Sequence, residues 1–277
     1  MEPRVSPHDY GSSGSVRLAQ DWTRLHEGWE SQVTWAVTVD FHNTIARCDE
    51  WFQLEVFDLI PAYLEWRERE CGGTIDPGLS ERGREHYRLI RNWVMESGLE
   101  KDAATCVVET LEHLGLPYTE EEVERGLEAI FRPTLEGVEP MPGIISTVRQ
   151  LHECSAPMMV VSSAAYHPFL EWTLERFEID DCFESVLTSA DCGHYKSSPR
   201  IYELAAEMLG RRPETCIHIG DSERFDIRSA QQAGMRAVLI DWDGEMAGKT
   251  AADLRVETLC GLPDRLVSTF GCSPDAV

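Results

Sequence analysis

Lysine is scarce in this chain of 277 residues: Lys101, Lys196 and Lys249 are the only three, beside twenty-two arginines. Positive charge of any kind is outweighed, 25 basic residues against 49 acidic, for a formal charge of −24. So acidic a balance excludes the basic face that nucleic acid or an anionic membrane requires. Also missing is any apolar run approaching the ~18–20 residues of a membrane span. The first residues, MEPRVSPHDYGSSGSVR, lack the apolar stretch of a signal peptide, and residues 1–30 read as a disordered or loosely attached tail. The nine cysteines include no C-x-x-C pair. That spacing argues against a zinc site or a disulfide framework and predicts reduced thiols in a cytoplasmic protein. The expected partner is a small molecule, with the chain as a monomer or homodimer. An anionic substrate stays open, provided a local group overcomes the global field.

Apolar residues make up 42% of the chain, enough for a sizeable core and too many for intrinsic disorder. Residues 33–40 (VTWAVTVD), 157–162 (PMMVVS), 215–221 (TCIHIGD) and 236–241 (RAVLID) are short, largely apolar runs. Continuous rather than alternating apolar character predicts strands covered on both faces, as in a parallel sheet. Helical patterns fall between them: Ile144 to Glu153 after Pro142-Gly143, a second after Pro199, and a third from Ser222 to a capping Gly234. Strands alternating with such helices predict an α/β fold, a doubly wound parallel sheet.

Residues 50–137 differ, because almost nothing there is strand-like. Trp51, Leu54, Phe57 and Leu64 sit at helical spacing, with Pro61 predicted to kink or divide that helix. Tyr87, Ile90 and Val94 repeat the spacing, as do Val107, Leu111 and Leu114. Thr119 and Glu122 read as a capping box ahead of Val123, Leu127 and Ile130. The expected organisation is a core of 31–49 plus 138–277 interrupted by a helical block over 50–137. A block entering after the first strand would hang over the strand ends, where open α/β sheets bind ligands. Its aromatic stripes, Trp51 and Phe52 included, read as core before pocket. Arg82, Arg84, Arg88 and Arg91 read as a solvated helix face before an anion site.

Polar groups follow the strands in a fixed order. The first supplies Asp40-Phe41-His42-Asn43-Thr44, the second Ser162-Ser163, and the last Gly220-Asp221-Ser222 with Asp226 beyond; Lys196 precedes the helix at Pro199. On a parallel sheet these ends lie side by side. Together they make a set of carboxylates, hydroxyls and one ammonium, suited to Mg²⁺ with a phosphoryl group. Singly each has a plainer explanation: an aspartate at a strand end caps a helix, serines populate turns, a lysine is solvated. Their joint order makes coincidence the weaker account.

At these residues the chain resembles the haloacid dehalogenase-like hydrolase superfamily. That pattern is a first strand ending in DxDGT, a second ending in Ser or Thr, a lysine ahead of a Pro-led helix, and a last strand ending in GD with a further Asp. Asp40 to Thr44, Ser162, Lys196 with Pro199, and Gly220-Asp221 with Asp226 stand at those places. The resemblance covers about residues 33–270 and implies a Rossmann-like core with an α-helical cap. It further implies a Mg²⁺-dependent phosphatase acting on a small phosphorylated metabolite through an aspartyl intermediate. Asp40 is then the nucleophile. The Asp40 carboxylate, the backbone carbonyl of His42, Asp221 and Asp226 are the metal group. Thr44, Ser162, Ser163 and Lys196 bind the phosphoryl group.

The pattern breaks at two positions. His42 replaces the second aspartate, the acid/base of the family's phosphatases, and Asn43 replaces the usual glycine. Histidine can exchange a proton near neutrality, with an unperturbed pKa of ~6.5. Two alternatives follow: hydrolysis of a C–halogen or C–P bond, or a catalytically weakened binding or scaffold protein. A phosphonate-cleaving relative uses a cap lysine, and here Lys101 reads as an ordinary exposed helix start.

Overall fold

The computed structural model describes residues 35–72 and 76–271. The tail expected over residues 1–30 lies outside the described residues. A six-stranded, all-parallel sheet forms the centre, in the order β5-β4-β1-β6-β7-β8. The strands are β1 Ala36–Val39, β4 Met158–Ser162, β5 Ser185–Thr188, β6 Cys216–Gly220, β7 Arg236–Ile240 and β8 Leu254–Val256. A ribbon pairs β2 (Ala46–Arg47) with β3 (Glu139–Pro140) antiparallel. The α/β doubly wound fold is therefore present. Its order reverses between β1 and β6, and that switch point is where such sheets open a crevice at the carboxyl ends of their strands.

Alternation along each strand divides the core. Val37, Val39, Met158, Val160, Ile217 and Ile219 pack on one face. Ala36, Met159, Val161 and Cys216 face the other, against Ile201, Tyr202 and Ala205 of the helix Arg200–Met208. Burial on both faces explains why β1, β4 and β6 carry no polar alternation. Two strands leave weak sequence signals: β5 (SVLT) and β8 (LRV) are edge strands with half-exposed polar residues.

Between β2 and β3 the described chain is helical: Asp49–Gln53, a π-helical turn Leu54–Asp58, Leu59–Cys71, Pro77–Ser97, Ala103–Leu114 and Glu120–Phe131. The helix carrying Trp51 to Leu64 is interrupted just upstream of Pro61: a π-helical turn, Leu54–Asp58, separates Asp49–Gln53 from Leu59–Cys71. The proline sits in the first turn of the latter, where its missing N–H costs little. Thr119 accepts the Glu122 N–H at 3.2 Å, whereas the Glu122 carboxylate pairs with Arg67 at 2.6 Å. Only half of the expected capping box forms, because a full guanidinium competes successfully with one amide. The helical insert and the sheet share one apolar core, with Trp51 stacked on Phe169 at 5.0 Å.

Candidate active site

Asp40 leaves β1 with its N–H donated to the Ile219 carbonyl of β6 at 2.8 Å, which sets it at the switch point. The chain then closes tightly. The N–H groups of Ile45 and Ala46 both donate to the Phe41 carbonyl, at 2.8 and 3.0 Å. Asn43 adopts φ 59°, in the left-handed region that asparagine tolerates better than most residues. Asparagine thus satisfies the backbone demand that a glycine would meet. Trp242 Nε1 donates to the Asn43 carbonyl at 2.8 Å and fixes the loop from the far side.

Lys196 reaches into this corner from the turn before the helix Arg200–Met208. Its Nζ donates to Asp40 Oδ1 at 2.6 Å and to Asp226 Oδ1, with all three residues buried. Both carboxylates push the ammonium well above its ordinary value despite burial, so it stays charged. Asp226 also accepts from the Ser222 N–H at 2.8 Å, and its Oδ1 lies 3.2 Å from His218 Nε2. Against burial, the Lys196 charge and then His218 hold Asp226 below the usual carboxylate range. A helix expected to run unbroken from Ser222 to Gly234 instead opens with a π-helical turn, Glu223–Arg228, and continues over Ser229–Gln232. The wide turn brings Asp226 back against Gly220, where a Cβ would collide with the aspartate side chain. Only glycine fits there.

Asp221 completes the group. One ligand oxygen from each of Asp40, Asp221 and Asp226 lies within 4.8 Å of the other two. Burial, then the charges of Asp40 and Asp226, push the Asp221 carboxyl up to about 8. Burial likewise raises Asp40, against the pull of Lys196. Three carboxylates with one ammonium are therefore short of positive charge. An all-oxygen donor set with that deficit fits a hard divalent cation such as Mg²⁺.

Two further polar atoms in the loop want partners. Thr44 Oγ1 and His42 Nε2 are buried with no hydrogen bond. The His42 ring stacks on Phe52, with centroids 4.6 Å apart, and burial lowers its pKa, so the neutral imidazole prevails at neutral pH. Ser162 ends β4 and is buried. Ser163 Oγ accepts the Lys196 N–H at 3.1 Å, tying the serine turn to the lysine turn.

The structure thus brings Asp40, Lys196, Asp221 and Asp226 together, with His42 and Thr44 on the Asp40 loop and Ser163 bonded to the lysine turn. It departs from the expectation for the insert at three side chains. Arg91 is buried and pairs with Glu100 at 2.6 Å, while Arg82, Arg84 and Arg88 stay exposed. Phe52 is 39% exposed rather than core. Lys101 is half-buried and pairs with Glu109 at 2.7 Å. The motif pattern does not single out His218. Its signal was a lone polar ring on a fully buried strand: Nδ1 lies 2.9 Å from Thr38 Oγ1, and the ring bridges β1 to Asp226.

A family model described as haloacid dehalogenase-like hydrolase matches residues 36–234. The chain belongs to that family. Among relatives, the glyceraldehyde 3-phosphate phosphatase of Methanothermobacter thermautotrophicus is 28% identical over 179 residues, 63% of this chain and 76% of that one. The enzyme of that name from Methanopyrus kandleri is 36% identical over 104 residues, 37% of this chain and 44% of its own. A pyrophosphatase PpaX of Bacillus cereus is 30% identical over 107 residues, 39% of this chain and 49% of its own. The matches thus span under half of the last two relatives. A 2-haloacid dehalogenase from Pseudomonas syringae shares the fold with a TM-score of 0.62 at 21% identity, over 84% of this chain and 98% of that one. A HAD phosphatase from Thermococcus onnurineus does so at 0.56 and 21%, over 83% and 97%. Among the described residues of this haloacid dehalogenase-like hydrolase, no helix is long and apolar enough to cross a membrane.

Proposed function

We propose that this hydrolase is a Mg²⁺-dependent phosphatase of small phosphorylated metabolites, working in the cytoplasm through an aspartyl-phosphate on Asp40. The observation that carries the reading is the Asp40 carboxylate, buried 2.6 Å from Lys196 Nζ inside a carboxylate group short of positive charge. Phosphatase names among the sequence relatives support it.

Asp40 attacks phosphorus through one carboxylate oxygen, the bond to the leaving oxygen breaks with its electron pair, and the departing oxygen takes its proton from solvent water. Lys196 neutralises Asp40 and the transferring group without moving, because Asp226 already holds it. Thr44 and Ser162 would donate hydroxyls to phosphoryl oxygens. Asp40, the His42 carbonyl, Asp221 and Asp226 would hold Mg²⁺, which supplies charge neutralisation between carboxylate and phosphate. In the second half, water attacks the acyl phosphate and His42 Nε2 takes its proton; phosphate leaves and Asp40 is restored. The neutral imidazole suits this base role better than protonation of a leaving alkoxide. We further propose that the insert, residues 50–137, acts as a cap over the site.

The test is hydrolysis of an aryl phosphate with Mg²⁺ and with EDTA, beside mass spectrometry for phosphate on Asp40. Metal-dependent turnover lost in Asp40→Asn is the expected result. Halide release from 2-haloacids in EDTA would replace this reading with carbon–halogen chemistry, and tight phosphate binding without turnover would replace it with a binding protein.

A further inference from the structure

The insert holds both turns that carry the proposed phosphate ligands, and it holds one of them with a buried charge. Glu55 sits in the π-helical turn Leu54–Asp58 with its side chain sealed from solvent. Its Oε1 accepts the Ala165 N–H at 3.0 Å and its Oε2 the Tyr166 N–H at 3.3 Å. These amides belong to the second and third residues after Ser163, just beyond Ala164. Using both oxygens as acceptors suits the ionised carboxylate, since a protonated one turns an acceptor into a donor. From the same side, the Ala103 N–H donates to the Ala165 carbonyl at 2.8 Å.

The lysine turn is gripped in parallel. The Glu100 N–H donates to the Gly193 carbonyl and the Tyr195 N–H to the Gly98 carbonyl, each at 2.9 Å. Glu100 Oε2 accepts the Ser189 hydroxyl at 2.7 Å, while its other oxygen takes Arg91. The groups facing Glu55 are Arg91, Tyr87 and Glu100 of the insert, Cys48 before it, and Tyr195 of the lysine turn. Burial is the larger influence on Glu55, pushing it up to about 7 against the pull of Arg91. Apolar packing alone would seal this contact at no desolvation cost. A carboxylate there adds direction: it accepts two particular amides in one geometry.

We infer that Glu55 is a positioning residue for the phosphate site: reaching from the insert, its carboxylate fixes the Ala165–Tyr166 backbone, so that seating of the insert and shaping of the Ser162-Ser163 turn are one event. The inference rests on the phosphatase reading for the role of those serines. The contact itself is independent of that reading. Lys196 shares the arrangement through its N–H bond to Ser163, so loosening Glu55 disturbs both phosphate ligands together.

Glu55→Gln in the full chain is the test. An amide offers one acceptor oxygen and turns its NH₂ against the second backbone N–H. The expected result is an unchanged circular dichroism spectrum, with amide exchange over residues 163–167 and 193–197 about tenfold faster and the rest of the sheet unaffected. Binding of inorganic phosphate in Mg²⁺ weakens about tenfold, and KM for an aryl phosphate rises more than kcat falls. At saturating Mg²⁺ the share of the acid-side fall in kcat/KM near pH 7 that Glu55 contributes is absent in Glu55→Gln. It persists in the shorter, still ionisable Glu55→Asp, while the limbs set by His42 and Asp221 remain in both. Wild-type exchange followed from about pH 6 to 8, corrected for intrinsic rates, tests the same clamp without a substitution. Unchanged protection at 163–167 with unchanged phosphate affinity overturns the inference, as does faster exchange spread evenly over the molecule. A wild-type protein with no phosphatase activity sinks the functional reading alone, because exchange still reports on the clamp.

Discussion

Lys196 Nζ lies 2.6 Å from Asp40 Oδ1 and is bonded at the same time to Asp226, so one buried ammonium serves two buried carboxylates. Removing it takes the ammonium from both, and Asp226 keeps only the Ser222 N–H and His218. Lys196→Ala is expected to lower stability by about 3–5 kcal/mol in denaturant titrations and to abolish turnover. Lys196→Arg should not restore activity, because a planar guanidinium cannot occupy the place of a compact ammonium. Full activity in the arginine variant would contradict the point-charge role.

Asp221 links metal affinity to pH. Without a cation its carboxyl titrates at about 8, and binding requires the carboxylate. Mg²⁺ binding near pH 7 should therefore release protons, seen as a buffer-dependent heat in calorimetry. Thermal stabilisation by Mg²⁺ should grow as pH rises through about 8 and be weak near pH 6. Asp221→Asn should erase both effects. Stabilisation independent of pH would place the cation elsewhere.

His42 enters as a base. Burial lowers its pKa below the ordinary imidazole value, so the ring is already neutral at pH 7. Aryl phosphates, whose leaving groups need little protonation, should be cleaved far faster than alkyl phosphates, and His42→Asp should narrow that gap. Mg²⁺ affinity should be unchanged in His42→Asp, because only the backbone carbonyl at 42 is assigned to the ion. A loss of affinity would refute that assignment.

Glu55 also predicts a stability signature of definite sign. Its folded-state pKa of about 7 exceeds the ordinary glutamate value of 4.5, so between these pH values the folded protein holds a proton that the unfolded chain has lost. Its contribution to stability is therefore present below about pH 4.5 and is lost as pH rises to about 7, a change on the order of 3 kcal/mol. Glu55→Gln, which cannot ionise, should flatten that part of the pH–stability curve. An identical slope in the variant would mean that Glu55 ionises normally.

Gly220 tests the packing behind the site. A methyl group there meets the Asp226 side chain, so Gly220→Ala should cost about 1–3 kcal/mol and weaken Mg²⁺ binding by displacing the aspartate. Wild-type stability with wild-type metal affinity would show that Asp226 has room to move.

Local sequence determined what local chemistry can determine. Apolar runs specified the buried strands β1, β4, β6 and β7, because a strand covered on both faces has no polar alternation to hide it. Asp40, Ser162 and Asp221 were legible as candidates because the end of a parallel strand is a fixed place in space, whereas Lys196 and Asp226 stand in the turns that open the following helices. Edge strands β5 and β8 were not, being short and half-polar, and the π turns at Leu54 and Glu223 left no pattern of their own. Only tertiary structure decided which charges are buried. Arg91 looks like its exposed neighbours Arg88 and Arg84 until Glu100, Tyr87 and Tyr195 close around it. Glu55 is one glutamate among many until the insert lays it against two amides 110 and 111 residues away. Burial and partnership are properties of the assembled molecule, since both depend on what the rest of the chain places alongside.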